Sequence, residues 1–333
     1  MSDDNRVILP DAPAIPELNF RRFRDEADFA AMVAVIEACQ GHDKVDPLSS
    51  QAGIPTIAEL TESFATAENI DLNQDMLIVL IADMVIGFQW VRWWTQADET
   101  WVYYHRGRIL PDWRGKGIGT ATLRWAERRI RELAQIHPTG GKAVFRANTT
   151  SHEKEYNELL LTEGYLPIHS FIELGYDDSN PLSAKELPEN FTLKPAVPVD
   201  YRNIWLANEE AFEEEWGRRR TTDADYIRFL GNPNFNPSLW QIAWRDGEVA
   251  GVALSEITER GVGEITDLSV RKKWRGEGLA RALVVHALYA LKGRDVKQIR
   301  IFTDADDPFG ARTLYESVGF RVLTEYIRYQ KNV

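Results

Sequence analysis

Cysteine is nearly missing: Cys39 is the only one in 333 residues. No intramolecular disulfide and no cysteine-based metal site can form, and no metal is expected. Cys39 adjoins the apolar helical run Phe29 to Ala38, where a buried, inert thiol is the expected state. Long apolar runs are also missing, with no window near the 18 residues of a membrane span. The start, Met1-Ser2-Asp3-Asp4-Asn5, lacks the basic and apolar regions of a signal peptide. These absences predict a cytoplasmic protein without a membrane partner. Positive charge is in deficit, 39 Lys and Arg against 51 Asp and Glu, for a net charge of -12. That balance argues against nucleic acid as a partner and favours, weakly, a cationic substrate such as an amine.

Against these absences stands one signature that occurs twice. Arg114-Gly115-Lys116-Gly117-Ile118-Gly119-Thr120 and Arg275-Gly276-Glu277-Gly278-Leu279-Ala280-Arg281 each join a β-patterned run to an apolar run with helical spacing. A pyrophosphate needs several backbone N–H donors converging on it. Glycine allows close approach and positive φ, and the helix that follows adds its first-turn N–H groups and dipole. One such loop is equally a plain strand-to-helix turn. Recurrence in matched surroundings favours an anion cradle.

Four landmarks recur in the same order. They are an opening strand and helix (Phe20, Phe191), a strand with an internal glycine (Met84 to Trp90, Glu248 to Leu254), the cradle, and a helix ending in Gly-aromatic (Gly164-Tyr165, Gly319-Phe320). Their displacements of 171, 164, 161 and 155 residues drift slowly, as loop-length changes within a duplicated unit would make them. The polar stretch Asp177 to Asn190, with two prolines, reads as the linker. The predicted division is therefore 1–180 and 181–333, two α/β domains with mixed sheets. The polar connections His42 to Ser50 and Gly217 to Asn236 follow the first helix of each copy and are expected to border an acceptor cleft.

Leu268-Ser269-Val270, the Arg275 to Ala280 loop and Ala311-x-x-Leu314-Tyr315-Glu316-x-x-Gly319-Phe320 resemble the core motifs of the GNAT superfamily of N-acetyltransferases. Ile109-Leu110, Arg114 to Gly119 and Gly164-Tyr165 repeat the pattern. The resemblance covers nearly the whole chain as two tandem domains. It implies mostly antiparallel sheets flanked by helices and splayed at the central strands, with acetyl-CoA as the donor. It also implies transfer to the primary amine of a small molecule or peptide by direct attack, in a monomer or homodimer. The donor pyrophosphate would lie on the cradles. Its amide-rich arm would follow a free strand edge, Leu268 to Val270 in copy two, where an N–H can face the developing oxyanion.

The amine must lose a proton before it attacks, and a strand carboxylate can take it. Glu264 and Asp267 are the candidates, and strict alternation along a strand puts them on opposite faces; Glu264, in phase with Leu268 and Val270, is favoured. The resemblance makes Tyr315 the acid that protonates the leaving thiolate, although periodicity alone would make it a core aromatic. Asp304, Asp306 and Asp307 are expected to include a helix cap. Copy one departs from this set: Leu160 stands where Tyr315 would, and Tyr103 and Arg106 stand where Glu264 and Asp267 would. The expectation is a catalytic second domain and a donor-binding or vestigial first one. The alternative is a non-catalytic acyl-CoA sensor or scaffold.

Overall fold

The computed structural model describes residues 5–49, 51–96, 98–137, 142–179, 182, 186–213 and 221–333. Parts of the expected linker and of the Gly217 to Asn236 connection, the end of the His42 to Ser50 connection, and the first four residues, fall outside these. The chain divides into two compact units, one of 1–170 with 326–333 and one of 171–325.

The first unit contains β1 (Arg6–Val7), β2 (Leu18–Arg22), α1 (Glu26–Asp43), α2 (Ile57–Ala65), α3 (Leu72–Asp75), β3 (Met76–Ile81), β4 (Met84–Thr95), β5 (Trp101–Ile109), α4 (Ile118–Ile136), β6 (Ala143–Thr150) and α5 (Lys154–Thr162). Then β7 (Leu166–Tyr176) leads into the second unit. There follow β8 (Thr192–Lys194), α6 (Tyr201–Ala211), α7 (Asp223–Leu230), β9 (Gln241–Arg245), β10 (Glu248–Ile257), β11 (Val262–Val270), α8 (Leu279–Lys292), β12 (Gln298–Asp304), α9 (Ala311–Ser317) and β13 (Phe320–Asn332).

In the first unit the strand order is β1-β2-β3-β4-β5-β6-β13, and in the second β8-β9-β10-β11-β12-β7. Every pair within a unit is antiparallel except β5 with β6 and β11 with β12. This is the mixed, mostly antiparallel, helix-flanked sheet that the motifs imply. One feature was not anticipated: the strand beside β6 is the chain's last segment, Tyr326 to Asn332, and the strand beside β12 is Phe171 to Gly175.

Apolar residues of the two faces of each sheet build separate cores. In the second unit, Ala253, Ile265 and Val270 pack with Leu279, Leu283 and Leu288 of α8, while Val252 and Leu254 pack with Ile204 and Ala207 of α6. Burying one such aliphatic side chain contributes roughly 1.5–3 kcal/mol. The recurring strand glycines mark close backbone approach. A Cβ on Gly87 would lie 2.5 Å from the Arg108 carbonyl oxygen, and one on Gly251 2.7 Å from that of Ser269. No helix among the described residues is long and apolar enough to cross a membrane.

Candidate active site

Both glycine loops have the backbone that the cradle requires. Gly276 and Gly278 have φ of 83° each, and Gly115 and Gly117 have 69° and 83°. Gly117 and Gly278 are the residues immediately before α4 and α8, so each loop delivers a helix N-terminus to the same spot. A Cβ built on Gly115 or Gly276 would meet no atom within 4 Å. Their outer side is therefore open to a ligand that the backbone N–H groups can reach, and the loops fit a pyrophosphate.

The arginines that open the loops brace them. Arg114 Nε donates to the Ile109 carbonyl and Arg275 Nε to that of Val270, both at 3.0 Å. Beyond that, Arg114 holds both oxygens of Asp43 at the end of α1 (2.6 and 2.9 Å), and Arg275 reaches the Ala211 carbonyl at the end of α6 (2.8 Å). Glu277 is paired with Arg245 at 2.9 Å, which offsets its charge beside an anion. Lys116 bonds the Asp112 carbonyl at 2.8 Å, and Arg281 reaches across to Ser317 on α9. Ile118 and Leu279 are core residues of the helices that follow.

The central strands separate where the resemblance requires. β11 pairs with β12 only from Val262 to Ile265, and β12 continues on β7 through Asp304. Thr266 to Val270, including Leu268 and Ser269, therefore turn one edge away from β12. In the first unit β5 leaves β6 after Tyr104, which releases His105 to Ile109.

A register shift changes the reading of the two carboxylates. Leu254 pairs with Asp267 and Ser255 with Ile265, so Thr266 is an extra residue in β11. A bulge of this kind resets alternation. Glu264, Asp267 and Ser269 consequently share the face covered by α6, while Ile265, Leu268 and Val270 face α8. The expectation that Glu264 and Asp267 lie on opposite faces fails for this reason, as does the expectation that Glu264 is in phase with Leu268. The β4–β5 register has no such shift, so the residue matching Glu264 in the first unit is Tyr104, with Arg106 still matching Asp267.

Asp267 lines a cavity of about 720 Å³ together with Trp205, Asn208, Asp225, Phe229 and Asn232. Asn208 Nδ2 donates to the Asp267 carboxylate at 3.0 Å, and Asn208 Oδ1 accepts from Ser269 Oγ at 2.7 Å. This fixes the carboxylate at the cavity wall. Glu264, 8% exposed, stands between Glu256 and Arg300 in the ladder. Asn208 was missed by the sequence reading, although a polar residue within the buried stripe Ile204, Ala207, Asn208, Ala211 is a visible anomaly.

Tyr315 is 4% exposed on α9, its ring 6.0 Å from that of Phe320. Gly310 is the N-cap of that helix, and Asp307, three residues earlier, accepts from the first-turn N–H of Ala311 at 2.5 Å. In the first unit Leu160 is fully buried. His105 there donates or accepts at Tyr165 Oη (2.8 Å), and burial depresses its pKa to about 3. Cys39 is buried, its thiol 3.3 Å from the Ile109 carbonyl oxygen, and burial pushes its pKa up. Among the described residues no group of His, Cys, Asp and Glu is arranged to hold a metal.

The sequence pattern of the acetyltransferase (GNAT) family matches residues 50–153 and again 201–320. Mycothiol acetyltransferase from Thermobispora bispora is 27% identical over 326 residues, which span 91% of this chain and 96% of that protein. The protein of the same name from Thermomonospora curvata is 24% identical and covers 98% of each. The crystal structure of a GCN5-related N-acetyltransferase from Sphaerobacter thermophilus, 26% identical, superposes with a TM-score of 0.76 over 98% of this chain and 97% of that one. Two copies of one family domain, each with its cradle and its parted strands, thus cover 224 of the 333 residues, and the chain belongs to the GNAT family as a tandem N-acetyltransferase.

Proposed function

We propose that the protein transfers an acetyl group from acetyl-CoA to a primary amine of a small molecule, and that the second unit performs the transfer. The observation that carries this reading is the combination in one unit of an open glycine cradle, a released strand edge, and a carboxylate held at the wall of a 720 Å³ cavity. That volume suits a small-molecule acceptor.

When bound, acetyl-CoA supplies an activated thioester. Backbone N–H groups from Gly276 to Ala280 hold its pyrophosphate, and the edge from Leu268 to Val270 hydrogen-bonds its amide arm. Asp267, oriented by Asn208, receives the proton of the attacking amine directly or through water. Glu264 on the same face is the second candidate, and burial beside Glu256 makes it less accessible. Tyr315 protonates the departing sulfur, a role taken from its place in the family motif. The first unit retains the cradle and the released edge and has Leu160, Tyr104 and Arg106 at the proton-transfer positions, which supports donor binding there without transfer. The relatives named mycothiol acetyltransferase make an amine of the mycothiol class the first acceptor to try; a peptide amine is the second.

Thiol release from acetyl-CoA should appear with an amine panel that includes such an acceptor. Tyr315→Phe should lower kcat by about 10²-fold or more, the usual scale for losing a general acid, with coenzyme A affinity kept. Undiminished turnover in that variant would remove Tyr315 from the mechanism.

A further inference from the structure

One strand residue of the second unit belongs both to the donor edge and to the support of the cavity wall. Ser269 is the middle residue of the released edge Leu268 to Val270, so its backbone lies where the donor arm would join the sheet. The extra residue Thr266 places its side chain, like that of Asp267, on the face covered by α6. Asn208 of α6, 4% exposed, stands between the two. Its Oδ1 accepts from the Ser269 hydroxyl at 2.7 Å, and its Nδ2 donates to the Asp267 carboxylate at 3.0 Å. Among the described residues, Asn208 is the only hydrogen-bond partner of either side chain.

An amide has a donor end and an acceptor end. Turned over, Asn208 would set Oδ1 against the Asp267 carboxylate, two acceptors in contact. The charge on Asp267 therefore selects the orientation, and the Ser269 hydroxyl meets the Oδ1 that this orientation buries. Without the hydroxyl, Oδ1 is a buried acceptor with nothing to meet, a cost that rivals the bond from Nδ2 to Asp267. The amide then swings away, and the carboxylate loses its one N–H. In the first unit the positions matching Asp267 and Ser269 hold Arg106 and Arg108, both paired with Glu153. Guanidinium groups accept no hydrogen bond, so that unit cannot form this relay.

We propose that Ser269 is a positioning residue for acetyl transfer, its hydroxyl holding the Asn208 amide that aims Asp267 while its backbone seats the donor. One residue thereby fixes the proton acceptor relative to the thioester. The inference rests on the reading of Asp267 as the base given above.

The test is steady-state kinetics of the full chain with acetyl-CoA and the panel amine that the parent acetylates fastest. Ser269→Ala should lower kcat about tenfold, the scale of one lost hydrogen bond. The KM for acetyl-CoA should stay within about twofold, because the backbone edge is kept. Asn208→Ala should cost at least as much, and the double variant should be no more than about twofold slower than Asn208→Ala, since both changes break one relay. Ser269→Thr, which keeps the hydroxyl, should recover most of the rate; if it fails to fold, the double variant decides. Losses that multiply in the double variant, or a parent-like rate in Ser269→Ala, would overturn the proposal. Asp267→Asn separates the two readings. If it is slow while Ser269→Ala is not, Asp267 remains the base and the relay falls; if it is as fast as the parent, the base reading and the relay fall together. Crystal structures of the unliganded parent and Ser269→Ala need no acceptor. Asn208 should hold Asp267 in the parent and leave it in the variant, and an unmoved amide would overturn the proposal. Should no panel amine be acetylated, the transfer reading falls, and these structures still decide whether Ser269 holds Asn208.

Discussion

His105 shows how a residue type that suggests catalysis is put to structural use. Its ring is fully buried between Gln89 and Tyr165, and it stays neutral down to about pH 3, while an unfolded histidine takes its proton near 6.5. Between those values the unfolded chain binds more protons, so stability falls as pH falls from 6.5. For one such group the slope approaches about 1.4 kcal/mol per pH unit. Urea denaturation of the full chain at pH 7 and pH 5.5 should show this loss, and His105→Gln should flatten it whatever it does to stability at pH 7. An unchanged slope in that variant would mean that other groups carry the acid sensitivity. At the same scale, the pairing of Asn208 with Asp267 was open to inference, because a buried stripe does not tolerate an amide without a partner. The ion pairs of Arg106 and Arg108 with Glu153 were not, since residues 47 and 45 positions apart carry no common signal in one sequence.

The elements divide along the same line. Strand, cradle and helix were legible because glycines at positive φ and apolar periodicity report local geometry. The bulge in β11 was not, because Thr266 is an ordinary strand residue and only the register with Leu254 and Ser255 reveals it. Deleting Thr266 should give a regular register like that between β4 and β5, where the edge is released without a bulge. The variant is therefore expected to fold with a melting temperature within a few degrees of the parent. It should transfer acetyl at least tenfold more slowly, because the backbone beside the donor edge and Asp267 moves. A fully active deletion would show that the bulge is incidental. In the cradle, Gly276→Val places a branched residue at φ 83°, a strain of roughly 1–2 kcal/mol. Calorimetry with coenzyme A should then lose one class of site, and Gly115→Val should remove the other if both cradles bind.

At the scale of the whole molecule, the tandem repeat was plain, and the route of the chain through its two units was hidden. A strand's alternation says which face is buried and nothing about which strand lies beside it. Here β6 is completed by Tyr326 to Asn332 through seven residue pairs, and β12 by Phe171 to Gly175 through five pairs in all with Asp304 to Arg300. A cut within 177–190 separates 1–180 from 181–333, the division that the linker suggests. The first fragment then lacks the strand beside β6 together with the Lys331–Glu127 ion pair, and the second lacks the strand beside β12 together with the fully buried Arg300–Glu173 pair. Each ladder hydrogen bond contributes about 0.5–1.5 kcal/mol, and a domain has only about 5–15 kcal/mol to lose. Neither fragment should melt cooperatively alone, and each should expose an unpaired strand edge that favours aggregation. The full chain cleaved once in that segment should keep its melting temperature, because every strand is still present. Calorimetry of the separate fragments, their mixture and the cleaved chain would decide this. Two independently cooperative fragments would mean that the exchanged strands are dispensable, and that each glycine cradle is supported by its own copy alone.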